Sequence, residues 1–416
     1  IYTLSLHDAL PISVFEWVGK QLTWLIPRCA EENDQEIVSP NYGFLKIIFY
    51  FYQVAGVLTV SSYGVEHLLR NEIVLPVTNL FNLKLYANTN WKICPWPIFT
   101  PLLKTVFQLV TVMTIFFWIP VLYLLHSGLN KSRKREPTFP PVGPYLGAVL
   151  EIMLLGYSAV AGTIARLLHC VSIQEVHRWY YDAQYVCWHQ WWQKVAFVVI
   201  ALYLIPFIFT LYFGSVQLYR AKISGKKFLL AIILPLLYLL FVLYDCVKKK
   251  ITQRADYQIP LTADLVHNEV HKVLLEVLCG PFTNLQDNQP QGKIYWEGVL
   301  IGRRFFIIAI GCLLSEHALL RSVFLTILCL IYLVVHIYLK PFAQRRANST
   351  ETVSLATLVI IGVINVGLAS VRSDVSGINQ RYFSILLMLE AALLSVIPLV
   401  SVIFFISCLL RSEEHT

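Results

Sequence analysis

The hydrophobic pattern of this chain consists of nine apolar runs separated by polar and charged segments. A helix that crosses a bilayer needs about 20 mainly apolar residues, and most of these runs approach or exceed that length with one charge or none. Membrane β-barrels instead show short segments that alternate between apolar and polar residues. The pattern therefore predicts an all-α fold, a polytopic transmembrane helical bundle with eight or nine spans. The runs are Phe44–Tyr63, Leu102–Leu125, Tyr145–Leu168, Val195–Tyr219, Phe228–Tyr244, Tyr295–Leu314, Leu319–Leu339, Val353–Val371 and Tyr382–Leu410.

Composition agrees with a membrane protein. Of the 416 residues, 57% are hydrophobic and 14% are charged, and the mean hydropathy is +0.62. A soluble protein could not bury that much apolar surface. We expect the lipid bilayer as the main partner, leave assembly into a homo-oligomer open, and expect no nucleic-acid partner. The expected location is a membrane, with the plasma membrane as the favoured one.

The basic residues indicate the topology, because Lys and Arg concentrate in cytoplasmic loops near the ends of spans. The fifth run, Phe228–Tyr244, decides whether the chain has eight or nine spans. It has 17 residues, contains Pro235, and is flanked by basic clusters on both sides. If it enters and leaves on the cytoplasmic face, the chain has eight spans and all four clusters are cytoplasmic. If it crosses, the last two clusters lie outside. We favour the hairpin and keep the crossing as the alternative. The clusters are Lys131/Arg133/Lys134/Arg135, Arg220/Lys222/Lys226/Lys227, Lys248/Lys249/Lys250/Arg254 and Lys340/Arg345/Arg346.

The two ends are expected to be foreign to the protein. Residues 1–13 contain TLSLHDALPI and residues 411–416 read RSEEHT, and both strings resemble translations of short-read sequencing adaptors. We therefore treat both as adaptor-derived artefacts and the chain as a fragment. The remaining sequence divides into a cytoplasmic segment (residues 14–43) and the bundle (residues 44–410), which includes a cytoplasmic linker at residues 251–293.

The linker is expected to contain one helix that lies against the membrane or the base of the bundle. Thr262 is a suitable N-cap, and Gly280-Pro281 ends the helix. His267 and His271 share one face of it, but their spacing from Glu269 does not fit the metalloprotease pattern, so a solvated polar face is the expected role.

Cysteine positions divide by compartment. Cys94, Cys170 and Cys187 lie in or beside the two outer loops, where oxidation is permitted. We predict a disulfide between Cys170 and Cys187, with a bond from Cys94 to either one as the alternative. The cysteines of the spans and the cytoplasmic side are expected to be ordinary apolar residues.

Charges within the apolar runs are costly and usually paired or functional, and we single out five of them. They are Glu151, Arg166, Arg303, Arg304 and Glu390. Arg166, and the two adjacent arginines if their helix starts late, could extend to the interface. The carboxylates are too short for that, so they indicate a structural pair or a pathway. Glu151 is predicted to pair with Arg303 or Arg304.

No Gly-rich phosphate loop, HExxH, GxSxG or CxxC motif is present in the sequence. We therefore expect no catalytic residues, no metal site and no cofactor, and a protein that is not an enzyme.

Several short segments, in this order, resemble the membrane region of TRP-like multi-pass proteins. They are Phe44–Gln53, Gly162–Cys170 with Asp182 and Cys187, Tyr203–Pro206, Tyr295–Arg304, Lys340–Phe342 and Glu351–Leu355. The resemblance is closer still to large invertebrate and protist surface proteins that carry Cys-rich, ephrin-receptor-like repeats before such a region. It implies the membrane module of an ion channel or transporter. The alternative it leaves is a cell-surface receptor or adhesion protein whose Cys-rich ectodomain senses ligand.

Overall fold

The computed structural model describes residues 42–59, 81–82, 100–132, 142–173, 175–220, 222–252, 269–282, 293–371 and 382–395. These residues form two compact units. The first contains Val112–Tyr157 and Cys187–Gly302, and the second contains Gly19–Thr111, Ser158–Val186 and Arg303–Thr416.

Helices make up most of the described chain. In order, the elements are α1 (Tyr42–Thr59), α2 (Pro101–Phe107), α3 (Val110–Ser132), α4 (Gly143–Leu167), β1 (Cys170–Ile173), β2 (Val176–Trp179), β3 (Asp182–Val186), α5 (Trp191–Val199), a π-helical turn (Ile200–Leu204), α6 (Ile205–Tyr219), α7 (Gly225–Ile233), α8 (Pro235–Thr252), α9 (Glu269–Cys279), α10 (Trp296–Leu313), α11 (Ala318–Leu339), α12 (Arg345–Val371) and α13 (Tyr382–Ser395).

Five helices of the described chain are long and apolar enough to cross a membrane. They are Val110–Gly128, Gly143–Leu167, Trp191–Tyr219, Ala318–Leu339 and Ala347–Ser370. A sixth is added if the bent pair α7–α8 counts as one span. The prediction of a helical membrane-type fold is confirmed in this coarse form, and the count of eight or nine spans stays a prediction.

In the first unit, α7 and α8 form a sharply bent pair. Their axes differ by 114° at Leu234. The sequence causes this break, because the ring of Pro235 disfavours helical backbone at the residue before it and removes a backbone donor. Accordingly, Leu234 has φ −120° and ψ 64°, outside the helical region.

The linker helix α9 ends where Gly280-Pro281 predicted, while its predicted beginning at Thr262 lies outside the described residues. Val270, Leu274 and Val277 are buried. The solvated face expected for His271 is wrong, because this side chain is 3% exposed. A Cβ added at Gly225 would lie 3.1 Å from the backbone of His271, so α9 packs closely on the start of α7. Burial lowers the pKa of His271.

The second unit contains an apolar core made by helices α1, α10, α11, α12 and α13. Its most buried members include Phe51, Ala55, Leu325, Leu358 and Ile361. Helices α11 and α12 approach closely at Gly362, where an added Cβ would lie 2.5 Å from Oγ1 of Thr326.

A three-stranded antiparallel sheet, β1-β2-β3, follows α4 in the second unit. The sequence predicted only an outer loop here, because strands of four or five residues give too little alternation to be recognised. Cys170, at the start of β1, and Cys187, directly after β3, are both disulfide-bonded.

Candidate functional site

Two consecutive arginines of α10 are enclosed in the second unit. Neighbouring helix positions point about 100° apart, so Arg303 and Arg304 meet different partners. Their side chains are only 3% and 1% exposed. The alternative that they extend to the membrane interface required a helix that starts late. It is wrong for both, because α10 already begins at Trp296, about two turns before the arginines, and both side chains are buried.

Arg303 forms a buried salt bridge with Glu351 of α12. Its Nη1 donates to Oε1 of Glu351 over 2.8 Å, and the two side chains are 4% and 2% exposed. The Cζ atom of Arg303 also lies 6.0 Å from the centre of the Tyr332 ring. A buried ion pair offsets part of the cost of removing each charge from water, so loss of either partner leaves an uncompensated charge.

Arg304 lies in a small polar network with α1 and α4. Its Nη1 donates to Oε1 of Gln53 over 2.6 Å and lies 3.5 Å from Oγ of Ser158. The Ser158 hydroxyl donates to the same Gln53 oxygen over 2.9 Å. The guanidinium also lies over the ring of Tyr50, with Cζ 3.9 Å from the ring centre, which is a close cation–π contact. We call Arg303, Glu351, Arg304, Gln53 and Ser158 the inner polar cluster.

A second polar pair lies farther along α12. Nδ2 of Asn365 donates to Oε1 of Glu390 over 3.3 Å, and both residues are buried. Asn365 is about 21 Å from Glu351 along α12 at 1.5 Å per residue. The pair gives Glu390 a polar partner inside the unit, and the choice between a structural pair and a pathway role for this carboxylate stays a prediction.

Apolar side chains separate the two polar groups. Leu358 and Ile361 lie between Glu351 and Asn365 on α12, and both belong to the core cluster that also includes Leu58 and Leu394. The hydroxyl of Tyr52 donates to the carbonyl of Leu394 over 3.1 Å, which fixes α1 against α13 at this level. The second unit thus has buried polar groups on either side of a mainly apolar layer, which also contains the buried residues Ser354 and Thr357.

Arg166 lies in the last turn of α4, where its Nη1 donates to the Gln108 side chain. Its carbonyl accepts from Nε1 of Trp179, which is fully buried. A carboxylate oxygen of Glu316 accepts from the backbone N–H of Ser172 over 2.8 Å and so binds the sheet to the turn between α10 and α11. We call this assembly the outer cap.

His169 lies at the junction of α4 with the outer cap. Its ring stacks on Tyr180 with 4.3 Å between ring centres, and its Nε2 atom is buried without a hydrogen-bond partner. Burial lowers the pKa of His169; the nearby Arg321 lowers it further, whereas Glu316 raises it.

Glu151 is also buried, at 2% exposure, in the part of α4 that belongs to the first unit. Its predicted pairing with Arg303 or Arg304 stays a prediction. No group of three or more His, Cys, Asp or Glu side chains within the described ranges is arranged to hold a metal ion.

Sequence reasoning missed most partners of the arginines. Glu351 precedes the apolar run that begins at Val353 and was therefore not counted as an intramembrane charge. Gln53 and Ser158 are neutral and common in helices, so neither gave a signal. The signal that could have identified Glu351 is its position about two turns into a helix that starts at Arg345.

Comparison of the chain with protein-family models, with curated proteins and with solved structures gave no match.

Proposed function

We propose that this chain is the membrane module of a TRP-like ion channel or transporter. The observation that carries the proposal is the inner polar cluster, in which Arg303, Arg304 and Glu351 are enclosed within a bundle of apolar helices. Ionisable side chains are rare inside membrane proteins and mark pathways for ions, protons or substrates more often than they serve packing alone. The apolar layer above the cluster has the character of a gate, since it separates two polar levels of the same unit.

The arrangement of helices supports an eight-span topology. In this topology α1, α10 and α13 are three further spans beside the five candidates. They are not among those five because α1 and α13 are short in their described parts and α10 carries three charges. Counted from the start of α10, Arg304 lies about 12 Å deep, within the hydrocarbon core of a bilayer about 30 Å thick.

The bent pair α7–α8 is the hairpin of this topology. Its arms, Gly225–Ile233 and Pro235–Tyr244, are about 14 and 15 Å long, and with a bend of 114° their outer ends lie about 16 Å apart. That separation is about half the thickness of the hydrocarbon core, which favours a segment that enters and leaves on one face.

Flux through the purified chain tests the function. We expect reconstituted liposomes to pass a monovalent or divalent cation down a gradient, and the substitution Glu390→Gln to change that flux at least about tenfold by removing a buried charge from the pathway. Lys194→Gln, which removes an exposed charge, is the matched control. A folded, correctly inserted chain that passes neither monovalent nor divalent cations contradicts the proposal. That result would favour the alternative, a cell-surface receptor or adhesion protein.

The topology is tested separately by a long loop with a glycosylation acceptor inserted after Arg346. The eight-span topology places this loop in the cytoplasm, so it should remain unmodified. A glycosidase-sensitive shift in mass would show that α7–α8 crosses.

A further inference from the structure

The bent pair α7–α8 and its flanks combine three properties within the first unit. Exposed basic side chains lie just before α7 and in its first turn, namely Arg220, Lys222, Lys226 and Lys227. Large apolar side chains are exposed around the bend and along α8, namely Leu230, Ile233, Leu234, Leu237, Leu240 and Phe241. The helix α8 then continues through Lys248, Lys249 and Lys250 to Thr252. We call residues 220–252 the basic wedge.

Contacts with α6 fix the direction of the two arms. On the first arm, Phe228 packs against Gly214, where an added Cβ would lie 2.9 Å from the ring. At the bend, the hydroxyl of Thr210 donates to the carbonyl of Pro235 over 3.4 Å. On the second arm, the hydroxyl of Tyr238 donates to Oε1 of Gln217 over 2.8 Å.

The order of these contacts shows that the chain turns back. Going from Phe228 to Pro235, the contact on α6 moves from Gly214 toward the N-terminal end of that helix, at Thr210. Going on to Tyr238, it returns to Gln217, which is about 10 Å from Thr210 along α6. The start of α7, with Lys226 and Lys227, therefore lies toward the C-terminal end of α6, and the 114° bend turns α8 back from α7.

The charge of the wedge is strongly one-sided. Residues 220–252 contain seven Lys or Arg residues and one acidic residue, Asp245. Because α7 runs from the C-terminal end of α6 to the bend, Lys226 and Lys227 lie at one level, while the exposed apolar side chains at the bend, Ile233, Leu234 and Leu237, lie at another. A leaflet with anionic headgroups presents the complementary pattern, with negative phosphates above hydrocarbon.

We propose that the basic wedge binds the anionic phospholipids of one leaflet, with the bend inserted among the acyl chains and the basic residues Arg220, Lys222, Lys226 and Lys227 at the phosphates. The inference rests on the hairpin topology given under Proposed function. It adds a lipid-binding surface that does not depend on whether the bundle conducts ions.

The test measures binding of a short-chain, NBD-labelled phosphatidylserine to the detergent-solubilised chain. We expect tighter binding than for the matched phosphatidylcholine probe. The double substitution Lys226→Gln/Lys227→Gln should weaken binding at least about tenfold, since each basic residue near an anionic surface contributes about fivefold. Lys226→Arg/Lys227→Arg should preserve it.

Two controls make the outcome decisive. Lys194→Gln/Lys272→Gln removes two exposed charges outside the wedge and should leave binding unchanged. Inorganic phosphate at millimolar concentration should not displace the probe if the acyl chains contribute.

Equal affinity for the two probes, or an unchanged affinity of the Lys226→Gln/Lys227→Gln variant, overturns the proposal. Displacement by phosphate would mean a free anion site and overturns it as well. A glycosylated loop after Arg346 would instead overturn the hairpin topology, so the two failures are distinguishable.

Discussion

Nη1 of Arg303 lies 2.8 Å from Oε1 of Glu351, and the two side chains are almost completely excluded from solvent. The contact joins α10 to α12 within the second unit, across 48 residues of sequence. Because neither charge has access to water, their mutual contact offsets a large desolvation cost. The pair therefore contributes to the position of both helices.

Removal of either charge of this pair should destabilise the chain by about 3–5 kcal/mol, because the remaining charge stays buried without its partner. Arg303→Gln and Glu351→Gln are the single changes, and thermal unfolding in detergent is the measurement. The exchanged pair Arg303→Glu/Glu351→Arg should recover part of the loss. If the exchanged pair loses as much stability as the two singles together, the contact makes no net contribution.

The side-chain amide of Asn348 is fully used within the turn between α11 and α12. Its Oδ1 accepts from the backbone N–H of Phe342, and its Nδ2 donates to the carbonyls of Phe342 and Gln344. These hydrogen bonds help to hold the turn in place. Lys340, at the end of α11, has φ 43°, in the left-handed region that residues other than glycine seldom adopt.

Asn348→Ala should therefore cost about 1 kcal/mol, since it removes hydrogen bonds to the partly buried backbone of Phe342. Thermal unfolding measures this effect, and Ser349→Ala, at an exposed neighbouring position, should cost little. Asn348 begins an Asn-Ser-Thr acceptor sequence, but its Nδ2 is engaged, so we expect no glycan there. A glycosidase-sensitive mass shift that Asn348→Ala abolishes would contradict this expectation.

The sequence predicted the helical elements well because their signal is local. A long apolar run reports a span by itself, and Pro235 accounts for the position of the bend at Leu234. The partners in the candidate site were not predictable in this way. Gln53 and Arg304 are separated by 251 residues, and a polar residue in a helix carries no mark of its distant partner.

Two glycines within helices should respond oppositely to the same change. At Gly362 an added Cβ would lie 2.5 Å from Oγ1 and 3.3 Å from Cα of Thr326, so α11 and α12 would have to separate. At Gly162 an added Cβ meets nothing within 4 Å. We expect Gly362→Ala to destabilise by about 1–3 kcal/mol through overpacking.

Gly162→Ala should stabilise by about 0.5–1 kcal/mol, because alanine loses less backbone entropy in a helix than glycine does. Both values are measured by thermal unfolding in detergent. Equal effects at the two positions would mean that the close approach of α11 to α12 at Gly362 does not exist in the folded chain.

Stability should fall in acid because of His169. Burial and the nearby Arg321 lower the pKa of this residue below its ordinary value of 6.5 in the folded chain, although Glu316 opposes the shift. The unfolded chain therefore binds more protons than the folded chain as the pH falls below about 6.5, and the free energy of unfolding decreases in that range. Above that pH the ring is neutral in both states, so its contribution is fully present.

His169→Phe preserves the stacking on Tyr180 but cannot titrate, and it should flatten the dependence of the unfolding temperature on pH between about 5 and 7. His177→Gln, at an exposed position of β2, should leave that dependence unchanged. If His169→Phe retains the full dependence on pH, the acid sensitivity arises from other groups and the outer cap does not depend on a neutral His169.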